Sequence, residues 1–107
     1  MTKRARPSLD IAAKPETVAI MQAVAAAYGV CAEDLTFQST RGVLPYSSPT
    51  MRARRVAIVA LYKQWGNAKA IAKVFQRHAS SVWTVLNGAS EAEHATAGEI
   101  VAGVSFA

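Results

Sequence analysis

The run VAIVALY, Val56–Tyr62, is the longest unbroken apolar stretch of the chain, and it lies inside a helical pattern. Ile58, Leu61, Tyr62 and Trp65 recur at i, i+3, i+4 and i+7, while Val56, Ala57, Val59 and Ala60 fill the other sides. A helix over Met51–Trp65 that is apolar nearly all round has to be wrapped by other helices. The run is far short of the roughly 20 residues that a membrane helix needs. A chain of 107 residues has room for one core and not for two. The expected fold is therefore all-α: a small helical domain around one long central helix.

The flanking segments supply the wrapping. Pro15 opens an Ala-rich helix over Thr17–Tyr28, with Val18, Met21, Val24, Ala25 and Tyr28 as its expected inner face and Gly29 as a left-handed cap. A short helix follows at Ala32–Thr36. Residues 37–50 hold two prolines, Gly42 and many hydroxyls, and read as a long loop; Thr50 or a neighbour can cap the central helix. After Gly66, Asn67 can cap a helix over Ala68–Phe75, whose stripe is Ile71, Ala72 and Phe75. Gln76-Arg77-His78 makes a turn into Ala79–Asn87, which Gly88 closes. Here Val82, Val85 and Leu86 face inward, and Ser80, Trp83, Thr84 and Asn87 face outward. Two short helices joined by a tight turn form a helix-turn-helix, the expected C-terminal part of the folded domain. Its turn carries Gln76 where such turns usually carry glycine. A left-handed residue other than glycine costs about 1 kcal/mol, which favours a rearranged turn.

Charge points to a partner. Residues 35–90 hold Arg41, Arg52, Arg54, Arg55, Lys63, Lys69, Lys73 and Arg77 and no acid, whereas residues 1–34 are balanced and residues 91–107 carry only Glu91, Glu93 and Glu99. The net charge is +5. So long a field of one sign attracts polyanions, above all nucleic acid. Arg52, Arg54 and Arg55 crowd the start of the central helix, where cations oppose the macrodipole; a ligand accounts for them better than stability does. Lys69 and Lys73 share one side of their helix. Ser80, Ser81 and Thr84 can contact phosphates or base edges, and an indole can pack on thymine methyls. Two readings stay open for Trp83, base contact or core closure, and two for His78, phosphate donor or plain turn residue.

The pieces VAIMQAVAAAYGVCAEDLT, RARRVAIVALYKQW and IAKVFQRHASSVWTVL stand in the same order as matching pieces of a known family. Residues 16–87 resemble the C-terminal DNA-binding domain of the bacterial replication initiator DnaA, a Trp-repressor-like helix-turn-helix. The resemblance implies double-stranded DNA binding, with Arg52, Arg54 and Arg55 on phosphates and Arg41 in the loop that reaches the minor groove. Arg77, Ser80 and Ser81 keep the family's residue types. The family's base-reading Asp-His pair is replaced by His78-Ala79, so its target sequence is not expected to carry over. No GxxxxGK[ST] is present for an ATPase module. Free-standing proteins similar to this domain act as regulators, some of them as activators of phage-like gene transfer agents. The expectation is a sequence-specific transcriptional regulator, with an activator favoured. The alternatives are a replication-control protein competing with the initiator and a basic protein-interaction module.

The remaining expectations are coarser. Residues 1–15 read as a mobile basic arm, 16–88 as the DNA-binding domain, and 89–107 as a tail. That tail either docks a protein partner and orders on binding or is a frayed or self-packing end. No HExxH, CxxC or Ser-His-Asp context is present, so neither an enzyme, a metal, a cofactor nor a small-molecule substrate is expected. Cys31 is the single cysteine and cannot form an internal disulfide. Without an apolar signal segment or a membrane partner, the expected place is the cytoplasm, at the nucleoid.

Overall fold

The central helix is where the apolar run puts it. In the computed structural model, which describes residues 11–36 and 48–104, it spans Pro49–Trp65. Six helices follow one another: α1 Pro15–Tyr28, α2 Ala32–Thr36, α3 Pro49–Trp65, α4 Ala68–Phe75, α5 Ala79–Gly88 and α6 Glu91–Gly103. There is no strand among the described residues. The all-α expectation and the long central helix are both met.

Helix α3 starts two residues earlier than its periodicity suggests. Ser48 is the N-cap, its hydroxyl accepting from the Met51 N–H at 3.2 Å, and Pro49 occupies the first turn, where its missing N–H costs nothing. Every residue from Ala53 to Leu61 except Arg54 is buried, so the helix is enclosed on almost all sides. Its largest contacts are with α6 and α1. It ends at Gly66, left-handed at φ 63, whose N–H returns to the Tyr62 carbonyl.

Three expectations change. Helix α1 buries Thr17, Ile20, Met21, Val24 and Ala25, while Val18 is 42% exposed, so the inner face is rotated from the one the sequence suggests. The reason lies in Thr17: its hydroxyl accepts the Trp65 indole N–H at 3.0 Å, which lets a polar residue lie inside. Second, Ile11 is fully buried and its carbonyl accepts from the Lys14 N–H, so the end of the expected arm belongs to the core; residues 1–10 of that arm lie outside the described residues. Third, the segment after Gly88 is a helix packed on α3, the self-packing one of the two readings of the tail. Ser90 accepts from the Glu93 N–H at 3.1 Å while the Glu93 carboxylate accepts from the Ser90 N–H at 3.0 Å, a complete capping box. Ala97 is buried, and Ile100, Val101 and Val104 pack against the core; Phe106 lies outside the described residues. The helix pair α4–α5 packs on α3, and α6, which follows it in the chain, packs on α3 and α1, so the pair is not the last element of the domain.

Candidate nucleic-acid interface

Helices α4 and α5 pack on each other through Ile71, Ala72, Phe75 and Val82, all buried. Asn67 caps α4, its Oδ1 accepting from the Ala70 N–H at 3.0 Å. The turn is not rearranged. Gln76 takes the left-handed conformation, φ 55 and ψ 48, that glycine usually supplies. Its N–H reaches the Lys73 carbonyl and the Arg77 N–H reaches the Ala72 carbonyl, so the last carbonyls of α4 are satisfied in a Schellman motif. Those bonds offset the left-handed strain. Gly88 remains helical and Ala89 forms the C-cap in extended conformation, so Gly88 is not the left-handed stop expected of it.

Ser80, Trp83, Thr84 and Asn87 are all exposed, as the spacing implies for the outer face of α5. The Thr84 hydroxyl donates to the Ser80 carbonyl at 3.0 Å. Ser81 is half-buried, its N–H bonded to the His78 carbonyl. His78 is the N-cap of α5 without a side-chain cap bond, and the first turn of α5 carries no acid. Lys69, Lys73, Arg77 and His78 are exposed on α4 and in the turn. Trp83 is 46% exposed and does not close the core. It meets the Tyr62 ring of α3 edge to face, with centroids 5.5 Å apart and planes at 65°.

The arginine cluster at the start of α3 splits three ways. Arg54 turns toward α2: its Nε donates to the Leu35 carbonyl at 2.9 Å and an Nη to the Asp34 carbonyl at 3.0 Å, tying the end of α2 to α3. Burial, then the charge of Arg77, lowers the Arg54 guanidinium from its usual value, and Asp34 opposes the shift. Arg54 and Arg77, distant in sequence, therefore share one patch of positive potential. Arg55 turns the other way and is buried. It forms an ion pair with Glu93 of α6 at 2.8 Å, with side chains only 8% and 13% exposed. Burial alone would raise the Glu93 carboxyl, but the bond from Arg55, the Ser90 N–H and the Arg55 charge together hold it below the usual carboxylate range. Arg55 is thus engaged inside the protein, not presented to phosphate. Arg52 is exposed beside it, on a cleft of about 390 Å³ that Tyr28, Ser90 and Thr96 also line. Arg41 lies outside the described residues.

Sequence reasoning missed two partners, Glu93 and Tyr62. The first was signalled in part, because Ser90-x-x-Glu93 is a helix-start signature. For Tyr62 the only signal was its place in the central stripe. Among the described residues no cluster of His, Cys, Asp and Glu could hold a metal ion, and no helix is long and apolar enough to cross a membrane. No protein-family model, curated protein or solved structure matches the chain.

Proposed function

We propose that this chain is a sequence-specific double-stranded DNA-binding regulator of transcription that lays α5 in the major groove. The observation that carries the proposal is the outer face of α4–turn–α5. Lys69, Lys73, Arg77 and His78 are exposed on α4 and in the turn that leads into α5, a helix with no side-chain cap whose exposed side chains include Ser80, Trp83, Thr84 and Asn87. Cations and helix N–H groups suit phosphates, and a hydroxyl-rich helix with one indole suits base edges. Arg54 of α3 adds charge near Arg77. The likeness to the DNA-binding domain of the initiator DnaA supports the same docking, with Arg55 removed from the set of phosphate contacts and Arg52 left on the α6 side. The proposed role is a non-enzymatic one in the cytoplasm, at the nucleoid.

Binding of the full chain to random duplex, measured by fluorescence anisotropy across salt, tests this. With about five phosphates contacted, log K should fall against log salt with a slope of about −4.5. An acidic polypeptide of equal charge should compete poorly. A slope near zero would refute the proposal, and equal binding to the polypeptide would make the surface a protein-docking module.

A further inference from the structure

We propose that Trp83 reads the 5-methyl group of a pyrimidine in the major groove, with Tyr62 as the residue that positions it. The inference rests on the duplex-binding reading above and goes beyond it to name the base chemistry recognised. The two tryptophans of the chain make the contrast. Trp65 is half-buried and spends its indole N–H on Thr17, which is a structural use. Trp83 is nearly half exposed, and its N–H has no partner among the described residues. Apart from Val18 on α1, it is the exposed large apolar side chain of the described residues.

Exposure alone would make Trp83 a surface accident, but its ring is held. Tyr62 meets it edge to face from α3, between Leu61, which is fully buried, and the last turn of the helix. A rigid aromatic held by a core helix loses little freedom on binding. Its exposed neighbours on the same face, Ser80 and Thr84, are small, so no large side chain competes with the indole there. No acid occurs between residues 35 and 90, which leaves the approach of a polyanion unopposed. In the major groove, base edges present hydrogen-bonding atoms and one apolar group, the pyrimidine 5-methyl. An indole face on a groove-facing helix has no other apolar partner there. Thymine and 5-methylcytosine both carry that methyl, and the chemistry recognised is the same.

The test uses the intact chain and the tightest duplex selected from a random pool. Each thymine of that site is replaced singly by deoxyuridine, which removes only the methyl. At one position the affinity should drop about fourfold, the worth of one buried methyl group, and 5-methylcytosine should bind better than cytosine at a position where the selected sites admit either. Trp83→Ala should bind the thymine and uracil sites equally, with its helical circular dichroism unchanged. Tyr62→Leu should shrink the thymine-to-uracil ratio while the salt slope stays; Tyr62→Phe should keep both. Equal binding of all uracil-substituted sites by the wild type would overturn the inference and leave the duplex-binding proposal standing. Tighter binding to single strands, reduced by Trp83→Ala, would overturn it in favour of base stacking. A chain that binds no duplex at all would remove the proposed function, and this inference with it.

Discussion

Replacing Arg55 should unfold the domain more readily without touching the proposed DNA-binding surface. The guanidinium and the Glu93 carboxylate meet at 2.8 Å with side chains 8% and 13% exposed, well toward the buried limit. Removing one partner of a fully buried pair costs about 3–5 kcal/mol, and exposed pairs are worth about 0–1 kcal/mol. For this degree of burial about 2–3 kcal/mol is expected for Arg55→Met, because Glu93 is left with only the Ser90 N–H. In a domain of this size that is a fall in Tm of about 10–15 °C. Glu93→Gln keeps the bond from Ser90 and should cost about 2 kcal/mol, and the double variant should fall short of the sum by about 1 kcal/mol. Thermal unfolding of the four proteins at pH 7, followed by circular dichroism, measures this cycle. The pH dependence has a definite sign. The folded carboxyl titrates below its unfolded value, so its contribution is complete above about pH 4.5 and is lost as the pH falls through the lower, folded value. The wild type should therefore lose more Tm between pH 5 and 3 than Glu93→Gln does. The slope of DNA affinity against salt should be the same for Arg55→Met and wild type. A stability change under 0.5 kcal/mol, or a salt slope reduced by about one unit, would refute the assignment of Arg55 to the interior.

Two further predictions concern the helix pair. Gln76→Gly should raise stability by about 0.5–1 kcal/mol in thermal unfolding, because it removes left-handed strain at an exposed position; Gln76→Val should lower it by more than 1 kcal/mol. Lys69→Gln and Lys73→Gln should each reduce the magnitude of the salt slope by about 0.9, with Tm unchanged, since both side chains are exposed and neither has a hydrogen bond or ion pair among the described residues.

Where a helix contrasts apolar and polar faces, its orientation was legible. The outward set of α5 and the stripe of α4 are examples, and so is the all-round burial of α3. Five of the 14 residues of helix α1 are alanine, which fits either side, so one hydroxyl bonded to Trp65 was enough to rotate its face from the expected one. The site divides in a similar way. Exposed cations on α4 and in the turn follow from periodicity alone. The fate of Arg54 and Arg55 does not, because their partners are a carbonyl pair on α2 and a carboxylate 38 residues away. The last helix was hidden by its composition: alanine, glycine and few large side chains dilute its period, although its capping box stands in the sequence.

The contact of α3 with α6 also sets an order of assembly. The α4–α5 pair forms from neighbours in the chain, and such local contacts close fast. The Arg55–Glu93 bond and the burial of Ala97 need a loop that encloses that pair, so they carry a closure entropy the local contacts do not. Until α6 has been synthesised and has docked, the flank of α3 that carries Arg55 stays wet. A chain that ends before α6 therefore leaves that seam of its core open to water. Substitutions in the α3–α6 seam should act mainly on how fast the finished domain comes apart, and those in α4–α5 on how fast it forms.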